Sequence, residues 1–333
     1  MPKMEKIIHH LRRSKRILLA SHVNPDGDAV GALIALALAL EKSGKRTTMY
    51  NESPIPAVYR FLPAVDRIVS RIDRNTTPFD AVVILDCSNM DRIGRLAADA
   101  ASLGVTLNID HHPSNTGFGD LQYVDTGACS TAEMVYRIVK AIGVSMDRDI
   151  STAIYTGILT DTGSFRFANT NQTAFSICLE MTENGVDPYT VAQHVYGTYS
   201  IGRIKLLNLA LDSIEIAENG KLSFMMLTRD MLEETGTQPE DVDGMINYAK
   251  SIKDVKVAVL IQERAGNDDS RNKNNFYVSL RSDGSVDVAA LAASFGGGGH
   301  HRAAGFCAET SLADLKGGIL KWLKKCEPEP CRN

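Results

Sequence analysis

The sequence predicts an α/β protein: an N-terminal doubly wound, mainly parallel sheet followed by a smaller C-terminal α/β domain. Three observations point there. Short apolar runs at 16–21, 81–85 and 105–109 alternate with helical patterns, as strands and helices do in βαβ units. Each run gives way to an acid or a histidine, and open α/β sheets bind ligands at such strand ends. Beyond the turn dipeptide Asn219-Gly220, strand-like runs resume at 221–228, 255–262 and 276–281 and open a second unit. A length of 333 residues also suits two cores better than one.

Taken in order, residues 3–13 are amphipathic and basic, with no cleavage-site pattern after them. Arg16–Ser21 reads as the first strand and His22-Val23-Asn24-Pro25-Asp26-Gly27-Asp28 as the loop leaving it. The stretch 29–40 is apolar all round, so a helix over 29–43 must be buried in protein, and it is too short to cross a membrane. Arg46–Tyr50 is a second strand, and Ala81–Leu85 has the unbroken apolar character of parallel strands. A helix around 91–102 leads to the strand that ends in Asn108-Ile109-Asp110-His111-His112-Pro113-Ser114-Asn115. Ser130-Thr131-Ala132-Glu133 has capping-box spacing and starts a helix to about Ile142, which gives Glu133 a structural task. A helix over 150–159 runs into Thr160-Asp161-Thr162-Gly163, and helical patterns fill 172–184 and 188–210. The polar stretch 266–275 reads as a mobile loop, and a last helix covers 311–325. The implied domains are 1–195 and 219–326, with a helical linker at 196–218 and a disordered Glu-Pro-rich tail at 327–333.

Composition is ordinary for a globular protein, 44% hydrophobic and 23% charged. A net charge of -4 supplies no global field for long nucleic acid, although a local cluster can still hold a small phosphorylated ligand. The six cysteines form no C-x-x-C pair, so they read as free thiols of a reducing compartment. The expectation is a soluble, cytoplasmic protein without membrane partners.

Four segments carry the chemistry. His22, Asp26 and Asp28 leave the first strand, Asp86 ends another, Asp110-His111-His112 ends a third, and Asp161 follows a helix. One aspartate at a strand end is usually a turn or cap residue. Several carboxylates gathered at one sheet edge repel, and keeping them ionised requires cations. The first three segments contain no arginine at these loops, so divalent metal is the better answer. Six or seven ligands exceed the needs of one ion and suit two, about 3.5–4 Å apart and bridged by a carboxylate. Oxygen-rich ligation with some imidazole favours Mn²⁺, with Mg²⁺ as a substitute. Such a pair lowers the pKa of a bridging water and holds it in line with phosphorus.

The run Phe295-Gly296-Gly297-Gly298-Gly299-His300 reads equally as a flexible hinge or as a phosphate cradle. In the second reading, bare backbone and a helix N-terminus approach an anion. His300, and Arg281 on the neighbouring strand, would add charge-assisted contacts.

These motifs resemble those of the DHH phosphoesterases: His22-x-Asn-Pro-Asp26-Gly-Asp28, Asp86, Asp110-His111-His112 and Thr160-Asp161-Thr162-Gly163. Gly297-Gly298-Gly299-His300-x-x-Ala303-Ala304-Gly305 is similar to the signature of the associated DHHA1 domain. The likeness spans roughly residues 16–325, and in length and domain pairing it is nearest the nano-RNase and 3′-phosphoadenosine 5′-phosphate (pAp) phosphatase subgroup. The resemblance implies one manganese ion on His22, Asp26 and Asp86 and another on Asp28, Asp86, His111 and Asp161, with Asp86 as the bridge. It implies that His112 faces the scissile phosphate and that Asp110 stands behind a ligand histidine. Arg281, Gly297, Gly298, Gly299 and His300 would hold the rest of the nucleotide across an interdomain cleft.

The implied activity is manganese-dependent hydrolysis of short RNA or DNA oligonucleotides, the linear dinucleotide pApA and pAp, and a homodimer is compatible with it. A cyclic-dinucleotide phosphodiesterase and a manganese pyrophosphatase are the competing enzymes. The first usually carries membrane and sensory segments, and the second lacks the Gly-Gly-Gly-His run. A non-catalytic RNA- or nucleotide-binding module is the competing reading of another class, and the intact ligand candidates in all four motifs argue against it.

Overall fold

Strands that are apolar at every position have to be covered on both faces, and the first sheet is built that way. The computed structural model describes residues 3–73, 78–197, 199–217, 220–242, 244–264 and 274–326, with only the backbone at 239, 240, 274, 300, 325 and 326. The tail 327–333 and nearly all of the polar stretch 266–275 lie outside the described residues. The chain divides into two units, Met1–Thr198 and Tyr199–Asn333.

In the first unit α1 (Lys3–Arg13) precedes β1 (Arg16–Ser21), α2 (Gly27–Lys42), β2 (Arg46–Tyr50) and β3 (Ala81–Leu85). Next come α3 (Ala100–Leu103), β4 (Val105–Asp110), β5 (Leu121–Val124), α4 (Thr131–Ile142), α5 (Arg148–Asp161), α6 (Gln172–Glu183) and α7 (Pro188–Tyr196). The five strands pair in parallel in the order β2-β1-β3-β4-β5. Alternation along the strands separates two cores. Ile17, Leu19, Val83 and Leu85 pack with α2, α4 and α5, while Leu18, Ala20, Val82 and Ile84 meet Ile93, Leu96 and Leu103. Helix α2 is enclosed as its composition requires, with every residue from Gly27 to Ala37 buried.

The second unit holds α8 (Ile201–Asp212), β6 (Glu215–Ala217), β7 (Leu222–Leu227), α9 (Arg229–Thr235), α10 (Ile246–Lys250) and β8 (Val257–Arg264). It continues with β9 (Asn274–Ser282), α11 (Val288–Ser294), β10 (Gly298–His300), β11 (Ala303–Thr310) and α12 (Leu312–Cys326). Its sheet runs β10-β11-β9-β8-β7-β6, with only the β7–β8 pair parallel. Helices α11 and α12 cover one face; α8, α9 and α10 cover the other, where Leu206 and Ala210 of α8 are buried. Among the described residues no helix is long and apolar enough to cross a membrane.

Two expected helices are broken, each for a local reason. The segment 91–102 is a 3₁₀ stretch, Met90–Ala98, kinked at Gly94 and followed by short α3. Gly94 adopts φ +71 where a β-carbon would lie 2.0 Å from the Glu52 carboxylate, which accepts the Arg95 backbone N–H at 2.6 Å. The segment 188–210 separates into α7 and α8 because Ser200 caps a new helix, its hydroxyl accepting the Arg203 N–H at 3.0 Å.

Candidate metal centre

The order β2-β1-β3 reverses the direction of chain progression at β1, and a crevice opens at the carboxyl ends on such a reversal. His22 follows β1, Asp86 follows β3, and Asp110, His111 and His112 end or follow β4. Asp26 is the N-cap of α2 and Asp28 lies in its first turn, while Asp161 is the last residue of α5. The sheet and two helices thus bring all four segments to one edge.

Three groups of donor atoms result, each with its members within 4.8 Å of one another: His22, Asp26 and Asp86; Asp28, His111 and Asp161; and Asp86, His111 and His112. The His22 imidazole Nε2 is 3.5 Å from Asp86 Oδ2 and 3.9 Å from Asp26 Oδ1. His111 Nε2 is 3.7 Å from both Asp86 Oδ1 and Asp161 Oδ2. Asp28 is fully enclosed, its two oxygens accepting the backbone N–H groups of Thr131 at 2.7 Å and Ala132 at 2.8 Å.

Burial and the neighbouring Asp86, Asp161 and Asp26 push the Asp28 carboxyl well above the usual range. Burial, Asp26 and Asp86 do the same to Asp161. Burial also opposes charge on Asp86, but a hydrogen bond from His22 and the fields of His112, His22 and His111 hold its carboxyl far below that range. Crowded carboxylates that resist ionisation, interleaved with imidazoles, are a donor set that fits hard divalent cations.

Asp110 is buried and bonds His112 rather than His111, with Oδ1 2.6 Å from His112 Nδ1. The histidine it bonds is therefore the one that the family resemblance turns toward the phosphate, whereas that resemblance sets Asp110 behind a ligand histidine. Burial works against the His112 imidazolium, but Asp110 and Asp86 outweigh it and raise its pKa.

In the second unit the glycine run is the edge of the sheet. Gly298, Gly299 and His300 pair with Gly305, Ala304 and Ala303, and Ala303 pairs in turn with Arg281. His300 and Arg281 thus share a register row, and the His300 side chain lies outside the described residues. The helix end that meets the run is the C-terminus of α11, where Gly296 and Gly297 donate to Ala293 and Ala292, and not the expected N-terminus. A β-carbon at Gly297 or Gly299 would strike backbone at 2.2 or 2.5 Å, whereas Gly298 faces open space.

Four supporting residues escaped the sequence reading. Thr131 donates its hydroxyl to Asp86 Oδ1 at 2.9 Å, and Asn169 donates to Asp161 Oδ2 at 2.9 Å. Asn115 donates to Asp110 Oδ2 at 2.6 Å, and Asn51 donates to the His22 carbonyl at 2.8 Å. Asn115 and Thr131 lie within segments already singled out; Asn51 and Asn169 carry no local signal.

The DHH family N-terminal domain matches residues 16–158, and the DHHA1 domain matches 221–325. The chain is 31% identical to the bifunctional oligoribonuclease and PAP phosphatase NrnA of Thermus thermophilus over 289 residues, 87% of this chain and 83% of that one. It is 30% identical to the Bacillus subtilis protein of the same name over 312 residues, 90% and 93% of the two chains. An exopolyphosphatase-related protein from Bacteroides fragilis superposes with a TM-score of 0.86 at 25% identity, over 97% of this chain and 96% of that one.

A carboxyl whose pKa is raised by folding holds its proton more tightly in the fold. Its contribution is full below the unfolded pKa and is lost as pH rises through the folded one. Asp28 and Asp161 are of this kind, and His112 behaves likewise above its ordinary value of about 6.5. Asp86 acts in the opposite sense, but only below the ordinary carboxylate range. Chelator-treated protein should therefore lose melting temperature between pH 5 and pH 8, and added Mn²⁺ should raise it more at pH 8. Scanning thermal unfolding at both values checks this; an equal metal-induced rise at the two would refute it.

Proposed function

The chain belongs to the DHH family and is a phosphoester hydrolase, and on that premise we propose that it cleaves short oligonucleotides, pApA and pAp using two divalent ions, manganese by preference and magnesium as substitute. The observation that supports this most is the overlap of the donor groups, in which Asp86 and His111 are each shared. We assign one ion to His22, Asp26 and Asp86 and the other to Asp28, Asp86, His111 and Asp161. When bound, the ions supply the Lewis acidity that makes water a usable nucleophile near neutral pH and offset charge on the phosphate.

The chain's own residues do the rest. Asp86, flanked by His22 and His111, is the shared carboxylate. Asp110 fixes the His112 ring through Nδ1 and favours its charged form. We assign His112 to contact the phosphate or protonate the leaving oxygen. We assign the anchoring of the remaining nucleotide to Arg281, His300 and the run Gly297 to Gly299. Gly297 and Gly299 are needed for close packing, whereas the open space at Gly298 suits approach of an anion.

The direct test is turnover. Protein stripped with chelator and reloaded with Mn²⁺ should release mononucleotide from dinucleotides or phosphate from pAp, and excess chelator should abolish it. Nucleotide binding without release under any divalent ion would convert the reading to a binding module.

His112→Ala should lower the rate about 10²–10⁴-fold, as expected for loss of a general acid, with metal content retained. A fall in melting temperature with the rate per folded molecule unchanged would make His112 a packing residue.

Substrate length follows from the anchor and from a net charge of -4, which offers no track for a long backbone. Activity should peak at oligonucleotides of a few residues. Arg281→Ala removes a charge-assisted contact and should lower kcat/KM for nucleotides by about 1.5–3 kcal/mol in ΔG‡. Gly298→Ala should act in the same direction without unfolding the edge. A small activated phosphodiester should be cleaved nearly as before by both variants; comparable losses on both substrates would remove the anchoring role.

A further inference from the structure

Past Asp161 the chain leaves its helix by an unfavourable route. Gly163, Ser164 and Phe165 all take left-handed backbone, with φ of +56, +59 and +63. A serine and a phenylalanine rarely do so, and such conformations persist only where surrounding contacts over-determine them. Here Thr162 accepts three bonds, from Phe165 N at its hydroxyl and from Arg166 N and Phe167 N at its carbonyl, all at 3.0–3.1 Å. Arg166 Nε donates to Gly163 O at 2.7 Å. Asn169 closes the loop by donating to both the carboxylate and the carbonyl of Asp161.

The turn sends two aromatic rings to different places. Phe165 packs against the main core and stacks on Phe175 at 5.0 Å between centroids. Phe167 stays outside, 44% exposed, with its ring laid over Gly163, where a β-carbon would meet three ring atoms at 2.5–2.6 Å. Gly163 thus leaves room for the ring, in a loop that begins two residues after the proposed ligand Asp161 and is closed back onto it by Asn169. Neither cation binding nor phosphate binding explains an apolar ring in that position. A ligand joining a phosphate to a flat π-surface does.

We propose that Phe167 is a stacking platform for the nucleobase next to the phosphate held at the metal groups, which makes this loop a nucleobase subsite. The proposal rests on the phosphoesterase reading of the same site. Every base has a π-face, so the platform is tolerant of base identity.

Kinetics and binding test it in full-length, metal-loaded protein. Phe167→Ala should lower kcat/KM for a dinucleotide by roughly 5- to 150-fold, the range of a lost base–aromatic stack, chiefly through KM. Phe167→Trp should restore it. An abasic analogue with the same sugar and phosphates should be cleaved at the same efficiency by wild type and Phe167→Ala. The metal-induced rise in melting temperature should also be unchanged. Equal losses on both substrates would mean that the ring serves the metal groups or the fold, and no loss on either would mean that it touches no base; each overturns the platform. Calorimetry with a non-hydrolysable dinucleotide keeps the two readings apart. If the wild type binds it but cleaves neither substrate, the hydrolytic reading falls. The platform then stands only if Phe167→Ala still weakens binding by that factor.

Discussion

Like charge held at close range inside the fold is the constraint on which the first unit is built. Asp28 of α2 and Asp161 of α5 share one donor group, and Asp86, just beyond β3, is linked to it through His111. Burying one ionised carboxylate without compensation is costly, and three together are worse. Each is treated differently. Asp86 lies among three imidazoles and takes the Thr131 hydroxyl, Asp28 takes two backbone amides, and Asp161 takes the Asn169 amide. These contacts fix the oxygens in place without neutralising the group as a whole. The pKa directions show this: Asp86 is stabilised as an anion, but Asp28 and Asp161 are not. The balance left over is positive charge, which a divalent ion would supply.

Helix α4 shows how one short segment serves several of these needs. A helix start leaves backbone N–H groups without intrahelical partners. Here Thr131 and Ala132 donate theirs to Asp28, and Glu133 donates to the Ser130 hydroxyl. The Glu133 carboxylate reaches back to the Cys129 N–H at 2.8 Å and pairs with Arg137. The capping box that stabilises the helix therefore also aims its positive end at the buried Asp28 carboxylate. The Thr131 hydroxyl remains for Asp86, so one residue touches two of the proposed ligands.

How much of this was legible in the sequence depends on the range of the interaction. The strands β1, β3 and β4 and the aspartates and histidines at their ends were readable because unbroken apolar runs and their abrupt ends are local signals. Strand β5 was not, being four residues with glutamine and tyrosine inside it. The kink at Gly94 was hidden because its cause, Glu52, lies 43 residues from the Arg95 amide it accepts. The Thr131–Asp86 bond spans 45 residues, and the Asp28 bonds to α4 span 103 and 104, so nothing near any of them announces the partner. The glycine run misled in a particular way: glycine signals close approach or unusual φ, but not whether the close neighbour is a ligand. At Gly297 and Gly299 the neighbours are the β11 backbone, and only Gly298 leaves space open.

Backbone strain follows the same geography. Among the described residues, six other than glycine have positive φ, and four of them, Asn24, Asp86, Ser164 and Phe165, lie in the loops that deliver or adjoin the proposed ligands. Each such residue costs about 1–3 kcal/mol, which is large beside a net stability of about 5–15 kcal/mol for a typical domain. At Asp86 the return on that cost is visible. Its N–H still bonds the Ile109 carbonyl at 3.0 Å, so pairing with β4 is kept to the last residue. Its left-handed φ of +60 then takes the chain out of the strand, and the side chain does not follow the alternation that buries Leu85 against α2. One carboxylate can then meet His22 beyond β1, His111 beyond β4 and Thr131 of α4. An extended residue at this position would continue the alternation of β3 into one of the two cores. The strained bond pair at residue 86 therefore does more than tolerate the site, because it converts the end of a buried strand into the point where three elements meet.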